Sequence, residues 1–209
     1  MRFSMLVCAV LAAGYAQAAT ISVQSAGPEK PAVVLVQGTF ETGDGERFFA
    51  KIAPLTTAVV RLQSHGGSLI TGIQIGEMIR MKDFHTLVPA GGRCASACAL
   101  AWLGGTHRFM GPDARIGLHA ASDPKSGQVT GVGNALLGAY LHRVGLPYSA
   151  VIYIAQAAPN SITWLSFADA KRLGIEVTLL NSAAGNLDPP AQMRVGTAVA
   201  DGVSGSKSR

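Results

Sequence analysis

Aromatic residues make up only 6% of this 209-residue chain and charged residues only 14%. The net charge of +5 is modest, its basic residues are scattered, and no Lys/Arg block is interleaved with aromatics, which argues against a nucleic-acid partner. No apolar run is long enough to span a bilayer, so no transmembrane segment is expected. Repeats of solenoid type are missing as well. What remains is 48% hydrophobic and rich in Gly and Ala, on a length that suits one domain with a sizeable core.

Cysteine is rare too, and its placement is informative. Of the three, Cys8 falls within "MRFSMLVCAVLAAGYAQAAT". There Arg2 supplies a positive start, Met5 to Ala13 an apolar stretch, and Ala16-Gln17-Ala18 followed by Ala19 a small-residue cleavage site. Residues 1–19 are therefore expected to be a signal peptide and the product to be exported, into the periplasm if the source is Gram-negative. Cys94 and Cys98 then remain, and in an oxidising compartment a lone pair is a disulfide candidate. Bridging is easier if Cys94 belongs to a strand or turn and only Cys98 is helical. A metal site from these two and His107 lacks a completing ligand.

Along the chain, residues 20–31 ("TISVQSAGPEKP") read as a polar connector and residues 32–40 ("AVVLVQGTF") as a buried strand. A turn and short helix lead to a second strand at 56–64, which ends at His65-Gly66-Gly67. Ser68 then caps a helix with Leu69, Ile73, Ile75, Met78 and Ile79 on its apolar face. The unit recurs as strand 85–90, the turn "GGRCA" and the helix "SACALAWLGG". Extended pieces across "RFMGPDARIGLHAA", two helices split at Gly145-Leu146-Pro147, the helix "FADAKRLG" stopped by Gly174, and the strand "IEVTLL" follow. Residues 181–209 turn to Gly, Ala, Ser and Pro and are expected to be a disordered tail. Alternation of strands and helices predicts an α/β domain over 32–180 with mainly parallel strands.

Two strand-to-helix turns stand out, at Gly66-Gly67 and at Cys94-Ala95-Ser96. A helix that starts there leaves its first N–H groups without intrahelical partners. With the turns side by side, the N–H groups of Gly67 and Ala97 would converge on one negative oxygen. Ser96 is then a nucleophile in need of a base. His119 ends an extended apolar segment and is the candidate. His85, His107 and His142 read as ordinary polar residues. His65 adjoins the glycine turn and would either touch substrate or brace the turn.

The stretches "LQSHGGSLITGIQIGEMI", "GRCASACALAWLGGTHRFMGPDARIGLHAA" and "TWLSFADAKRLGI" resemble the Clp protease proteolytic subunit and its crotonase-fold relatives, and in particular an exported bacterial branch with a Cys-x-Ser-x-Cys turn. The resemblance spans residues 32–178. It implies a ClpP/crotonase-like fold of repeated ββα units, Ser96 as nucleophile, His119 as general base, and the amides of Gly67 and Ala97 as oxyanion hole. It further implies a peptide or protein substrate held as an added strand by Gly66, Ser68 and Leu69, and a homo-oligomer. The family's aspartate aligns with Ile162, which cannot orient an imidazole; Asn160 or Ser161 is near enough to substitute, and otherwise the site is a Ser96–His119 dyad. No cofactor is expected, and no ATPase partner either, because ATP is not expected outside the cytoplasm and the sequence shows no nucleotide-binding turn of its own. Three readings remain: an exported serine hydrolase, most simply a peptidase; a non-catalytic peptide-binding module; and an acyl-CoA enzyme of the crotonase type, against which export and the Ser96–His119 pair both count.

Overall fold

Ala32–Gln37 carries four β-branched or leucine side chains in a row, and this run forms strand β2 at the heart of the molecule. The computed structural model describes residues 18–180 apart from 26, 28, 29, 124, 159 and 160. The expected leader up to residue 17 and the expected tail from 181 lie outside the described residues.

Helix α1 (Asp44–Ile52) follows β2, and strand β3 (Ala58–Gln63) returns parallel to it, pairing Ala32 with Ala58 through to Gln37 with Gln63. Helix α2 (Leu69–Met81) leads to β4 (His85–Val88), again parallel to β3. β5 (Arg93–Ala95), α3 (Ala97–Leu103), β6 (Arg108–Met110) and β7 (Arg115–Leu118) come next. Helices α4 (Gly131–Arg143) and α5 (Tyr148–Gln156), strand β8 (Thr163–Leu165), helix α6 (Phe167–Leu173) and strand β9 (Thr178–Leu179) complete the order. Among the described residues two sheets result. The larger, which begins with β1 (Thr20–Gln24), runs β1-β2-β3-β4-β6-β9, and the smaller runs β5-β7-β8. Apart from the antiparallel pairs β1–β2 and β7–β8, every pairing is parallel. The expected α/β fold of ββα units is what the chain adopts, as in β4-β5-α3 and β6-β7-α4.

Three local expectations need correction. The polar connector begins with a strand, β1 (Thr20–Gln24), antiparallel to β2. Its Ile21 and Val23 pack on the core, so the period of two, hidden among polar neighbours, was the signal. The turn at "GGRCA" contains the strand β5, whose partners come from β7 and lie more than twenty residues ahead. The final strand keeps only Thr178–Leu179 of residues 175–180.

Helix α3 is the centre of the core. All seven of its residues are buried, Trp102 among them. It sits tightly against α2. A Cβ on Gly72 would meet the Ala97 carbonyl oxygen at 2.4 Å, and one on Gly104 would meet that of Gly76 at 2.2 Å. Glycine at these contacts lets two backbones touch where larger residues would part them. The far end of α3 is held by Arg108, only 7% exposed, whose Nε and Nη2 donate to the Leu103 carbonyl at 2.9 and 2.8 Å. A cation at this helix terminus meets the negative end of the macrodipole. Burial lowers the Arg108 pKa to about 10, still charged at neutral pH. Among the described residues no helix is long and apolar enough to cross a membrane.

Candidate active site

β3 does not stop at the edge of the large sheet. Its next residue, Ser64, is bridged to Cys94 of β5, with Ser64 N–H on the Arg93 carbonyl and Ala95 N–H on the Ser64 carbonyl, both at 3.0 Å. That seam sets the turn after β3 beside the turn after β5. The contact is close enough that a Cβ on Gly66 would meet the Ala95 oxygen at 2.6 Å, the Ser96 Cβ at 2.7 Å and the Ala97 nitrogen at 2.9 Å. Gly66 and Gly67 have φ of 96° and 137°, so glycine is needed for conformation as well as for space.

Ser96 is the N-cap residue of α3, with φ 55° and ψ −127°, a strained backbone for a non-glycine residue. Its N–H donates to the Gly117 carbonyl at 2.8 Å, while Ala99 N–H takes the Ser96 carbonyl at 2.9 Å. Ala97 follows as the first helical residue, where α-helical geometry leaves an N–H without an intrahelical acceptor. Cys94 in β5 and Cys98 in α3 are joined by a disulfide and are fully buried, so the bridge ties the strand to the helix across Ser96. The strand-and-helix placement is the one that makes such a short-range bridge possible, and it excludes both sulfurs as thiolate metal ligands.

β7 runs parallel to β5 and pairs Ala95 with Gly117, which delivers His119 two residues later to the mouth of the Ser96 turn. His119 Nε2 lies 2.7 Å from Ser96 Oγ. Its Nδ1 lies 2.8 Å from the Ala120 carbonyl oxygen. A carbonyl only accepts, so Nδ1 carries the proton and Nε2 presents a lone pair to the serine hydroxyl. This is the tautomer a general base requires.

At the third position the described residues offer a main-chain group. The antiparallel pairing of β7 with β8 ends at Leu118 and Thr163, and Ile162 packs over Gly117. Ser161 spends its hydroxyl on the Ala158 carbonyl at 3.4 Å, and Asn160 lies outside the described residues. A main-chain carbonyl orients the imidazole. Asn134 of α4 braces the segment after it, accepting the Ala121 N–H at 3.0 Å and donating to the Ala121 carbonyl at 3.2 Å. Nothing in the sequence marks Ala120, because every residue has a carbonyl.

Phe40 is the other residue that sequence reading missed. It forms a parallel bridge to Gly67, with Phe40 N–H on the Gly66 carbonyl and Ser68 N–H on the Phe40 carbonyl, both at 2.8 Å. Phe40 therefore pairs with one edge of this turn, through the Gly66 carbonyl and the Ser68 N–H. Ser68 Oγ also accepts the Thr71 N–H at 3.2 Å as the cap of α2, and Leu69 is already helical. Ser68 and Leu69 help line a cavity of about 750 Å³ that contains Gly67, Ser96, Ala97 and His119. Its apolar walls come from Leu100, Leu118, Leu137 and Ile154. His65 is exposed and lines a different depression with Gly38, Gln63 and Arg93.

No curated protein matches the sequence. Residues 48–137, which include Gly67, Ser96 and His119, match the model of the Clp protease family. The structure is similar to ClpP1 from Listeria monocytogenes, with a TM-score of 0.53, 19% identity, and coverage of 72% of this chain and 93% of that one. A point mutant of the same protein aligns with a TM-score of 0.55 at 19% identity, over 71% and 92%. A mutant of 1510-N, a membrane-bound stomatin-specific protease, aligns with a TM-score of 0.52 at 16% identity, over 70% and 77%. A match to the Clp protease family model that contains both turns, on a backbone that superposes over most of each ClpP1 chain, gives this chain a ClpP-like fold.

Proposed function

We propose that this protein is an exported serine hydrolase, a peptidase that works through an acyl-enzyme formed on Ser96. The observation that carries the proposal is the 2.7 Å contact between Ser96 Oγ and His119 Nε2 at the start of a helix, inside a cavity large enough for a substrate segment. His119 takes the hydroxyl proton as Ser96 attacks a peptide carbonyl. The N–H groups of Gly67 and Ala97 receive the developing oxyanion, each worth about 3–4 kcal/mol in the transition state. His119 then protonates the departing amine, and a water activated by the same ring releases the acyl group. The apolar walls favour an apolar substrate side chain beside the scissile bond.

The neutral carbonyl of Ala120 holds the ring in the productive tautomer but adds no negative charge to stabilise the imidazolium. Turnover is accordingly expected to be slower than with a carboxylate partner, by less than the about 10⁴-fold lost in well-known serine proteases when the orienting residue fixes the wrong tautomer. Ile162, where the family's aspartate aligns, favours a second reading, in which the cavity binds peptide without cleaving it. The buried disulfide supports the export reading, since such bonds persist in oxidising compartments. A homo-oligomer belongs to the proposal, as does the lack of any need for an ATPase partner.

A serine-directed fluorophosphonate probe tests this. Labelling of the folded protein, lost in Ser96→Ala and strongly reduced in His119→Gln, supports a peptidase. Absence of labelling at neutral and alkaline pH in protein that still binds peptide leaves the binding module.

A further inference from the structure

Both backbone groups of Ala19, a fully buried residue just ahead of β1, are taken by side chains of α1. Its N–H donates to Asp44 Oδ2 at 3.1 Å, and its carbonyl accepts from Arg47 Nη2 at 3.1 Å. Asp44 is only 1% exposed. Its carboxylate also accepts the Glu41 N–H at 2.9 Å and pairs with Arg47. A buried carboxylate calls for a counter-charge close by. Arg47 provides one from a side chain that is 51% exposed. The Ala19 nitrogen, as an amide, offers a single neutral donor.

We infer that Asp44 is the receptor for the α-ammonium group of a chain cut between Ala18 and Ala19, and that this peptide bond is the leader's processing site. The inference rests on the export reading and is independent of whether Ser96 is catalytic. A cut there leaves the nitrogen beside the carboxylate and turns a one-donor amide into a charged three-donor group, the stronger kind of partner. The small residues Ala16 and Ala18 are what such a cut requires. A cut one residue later, the boundary that a 1–19 leader implies, would discard the very residue that Asp44 and Arg47 hold. The order of events is set as well. Ala18 is bridged to Thr39 and Ala19 is buried, so the bond is closed to a peptidase once β1 has docked, and processing precedes docking.

Docking reaches the cavity through backbone. The Glu41 N–H is held by Asp44, and the Glu41 carbonyl accepts the Thr71 hydroxyl at 3.0 Å. Glu41 lines the cavity directly after Phe40, the residue bridged to Gly67. The bound amino terminus would thus fasten the segment that steadies the glycine turn.

The test uses protein recovered from the periplasm of a Gram-negative host. Intact mass should place the first residue at Ala19, and the α-amine of the folded protein should resist an amine-acylating reagent at least about tenfold more than in the unfolded chain. Asp44→Asn should lower the melting temperature by about 5–10 °C more in this form than in a chain that starts at Gln17, where the same nitrogen is an amide. A first residue at Thr20 or beyond, an uncut leader, or an amine acylated at the unfolded rate would overturn the inference. So would equal effects of Asp44→Asn in the two forms. If Asp44→Asn does not fold, the mass and acylation results decide alone. None of these readouts depends on hydrolase activity.

Discussion

Breaking the Cys94–Cys98 bridge is the perturbation that separates the packing of the Ser96 turn from its chemistry. The bridge closes a loop of only five residues, from the end of β5 to the first turn of α3. For so short a loop the chain-entropy account gives about 2 kcal/mol of stabilisation, well below the value for a long loop. In a chain of this size that corresponds to about 4–8 °C in melting temperature. Ser96, between the two sulfurs, has a positive φ of a kind that costs about 1–3 kcal/mol, a sum the bridge can match. Two hydrogen bonds of the turn, Ser96 N–H on the Gly117 carbonyl and Ala95 N–H on the Ser64 carbonyl, do not involve the sulfurs and are expected to survive reduction. Reduction should therefore slow the reaction of Ser96 by roughly tenfold, equivalent to about 1.4 kcal/mol, without abolishing it. The assay is reduction in denaturant and refolding with reductant present, followed by thermal melting and fluorophosphonate labelling against the oxidised protein. Both sulfurs are retained, so no cavity is made. Unchanged melting and an unchanged labelling rate would refute the idea that the bridge holds the nucleophile turn.

Three further outcomes are expected. Gly66→Ala adds a Cβ within 2.9 Å of atoms of Ala95, Ser96 and Ala97 at a φ of 96°, and should cost about 2–4 kcal/mol while slowing Ser96 labelling by about 100-fold or more in protein that is still folded by circular dichroism. Arg108→Met leaves the buried Leu103 carbonyl without its two donated hydrogen bonds and should lose about 2 kcal/mol in chemical denaturation; a gain in stability would show that the desolvated charge outweighs the helix cap. His85 is held below its ordinary 6.5 by burial first and by His107 second, against the opposing pull of Asp83. The unfolded chain therefore binds a proton at this position before the folded one does, so stability falls as pH drops below about 6.5 and levels off beneath the folded value. His85→Leu should flatten that part of the melting-temperature profile between about pH 7.5 and about pH 5.5.

Ser96, His119 and Gly67 were legible because each sits where a local pattern changes: an apolar strand gives way to small residues and then to a helix, or a strand runs out at a polar ring. Such switches depend on neighbours in sequence, and the backbone at Ser96 and Gly67 adopts what those neighbours imply. The disulfide was legible for a related reason, since the change from strand to helix between residues 94 and 98 is local. The orienting group for His119 was not, and neither was Phe40. Both act through main-chain carbonyls, which all residues possess, and only the pairing of distant segments decides which of them is used. The Gly66–Leu69 edge shows the same limit. Its glycines and serine suit a substrate strand, and nothing local shows that Phe40, more than twenty residues earlier, already pairs with the Gly66 carbonyl and the Ser68 N–H. β1 stayed hidden because an edge strand needs apolar residues on one face only, and two of them among polar neighbours make a weak signal. The sequence by itself determined the fold class and singled out Ser96 and His119 as a candidate pair, through local changes of pattern. Tertiary structure alone decided which backbone groups support that pair, because hydrogen-bond partners across a sheet are set by register and packing, not by side-chain identity.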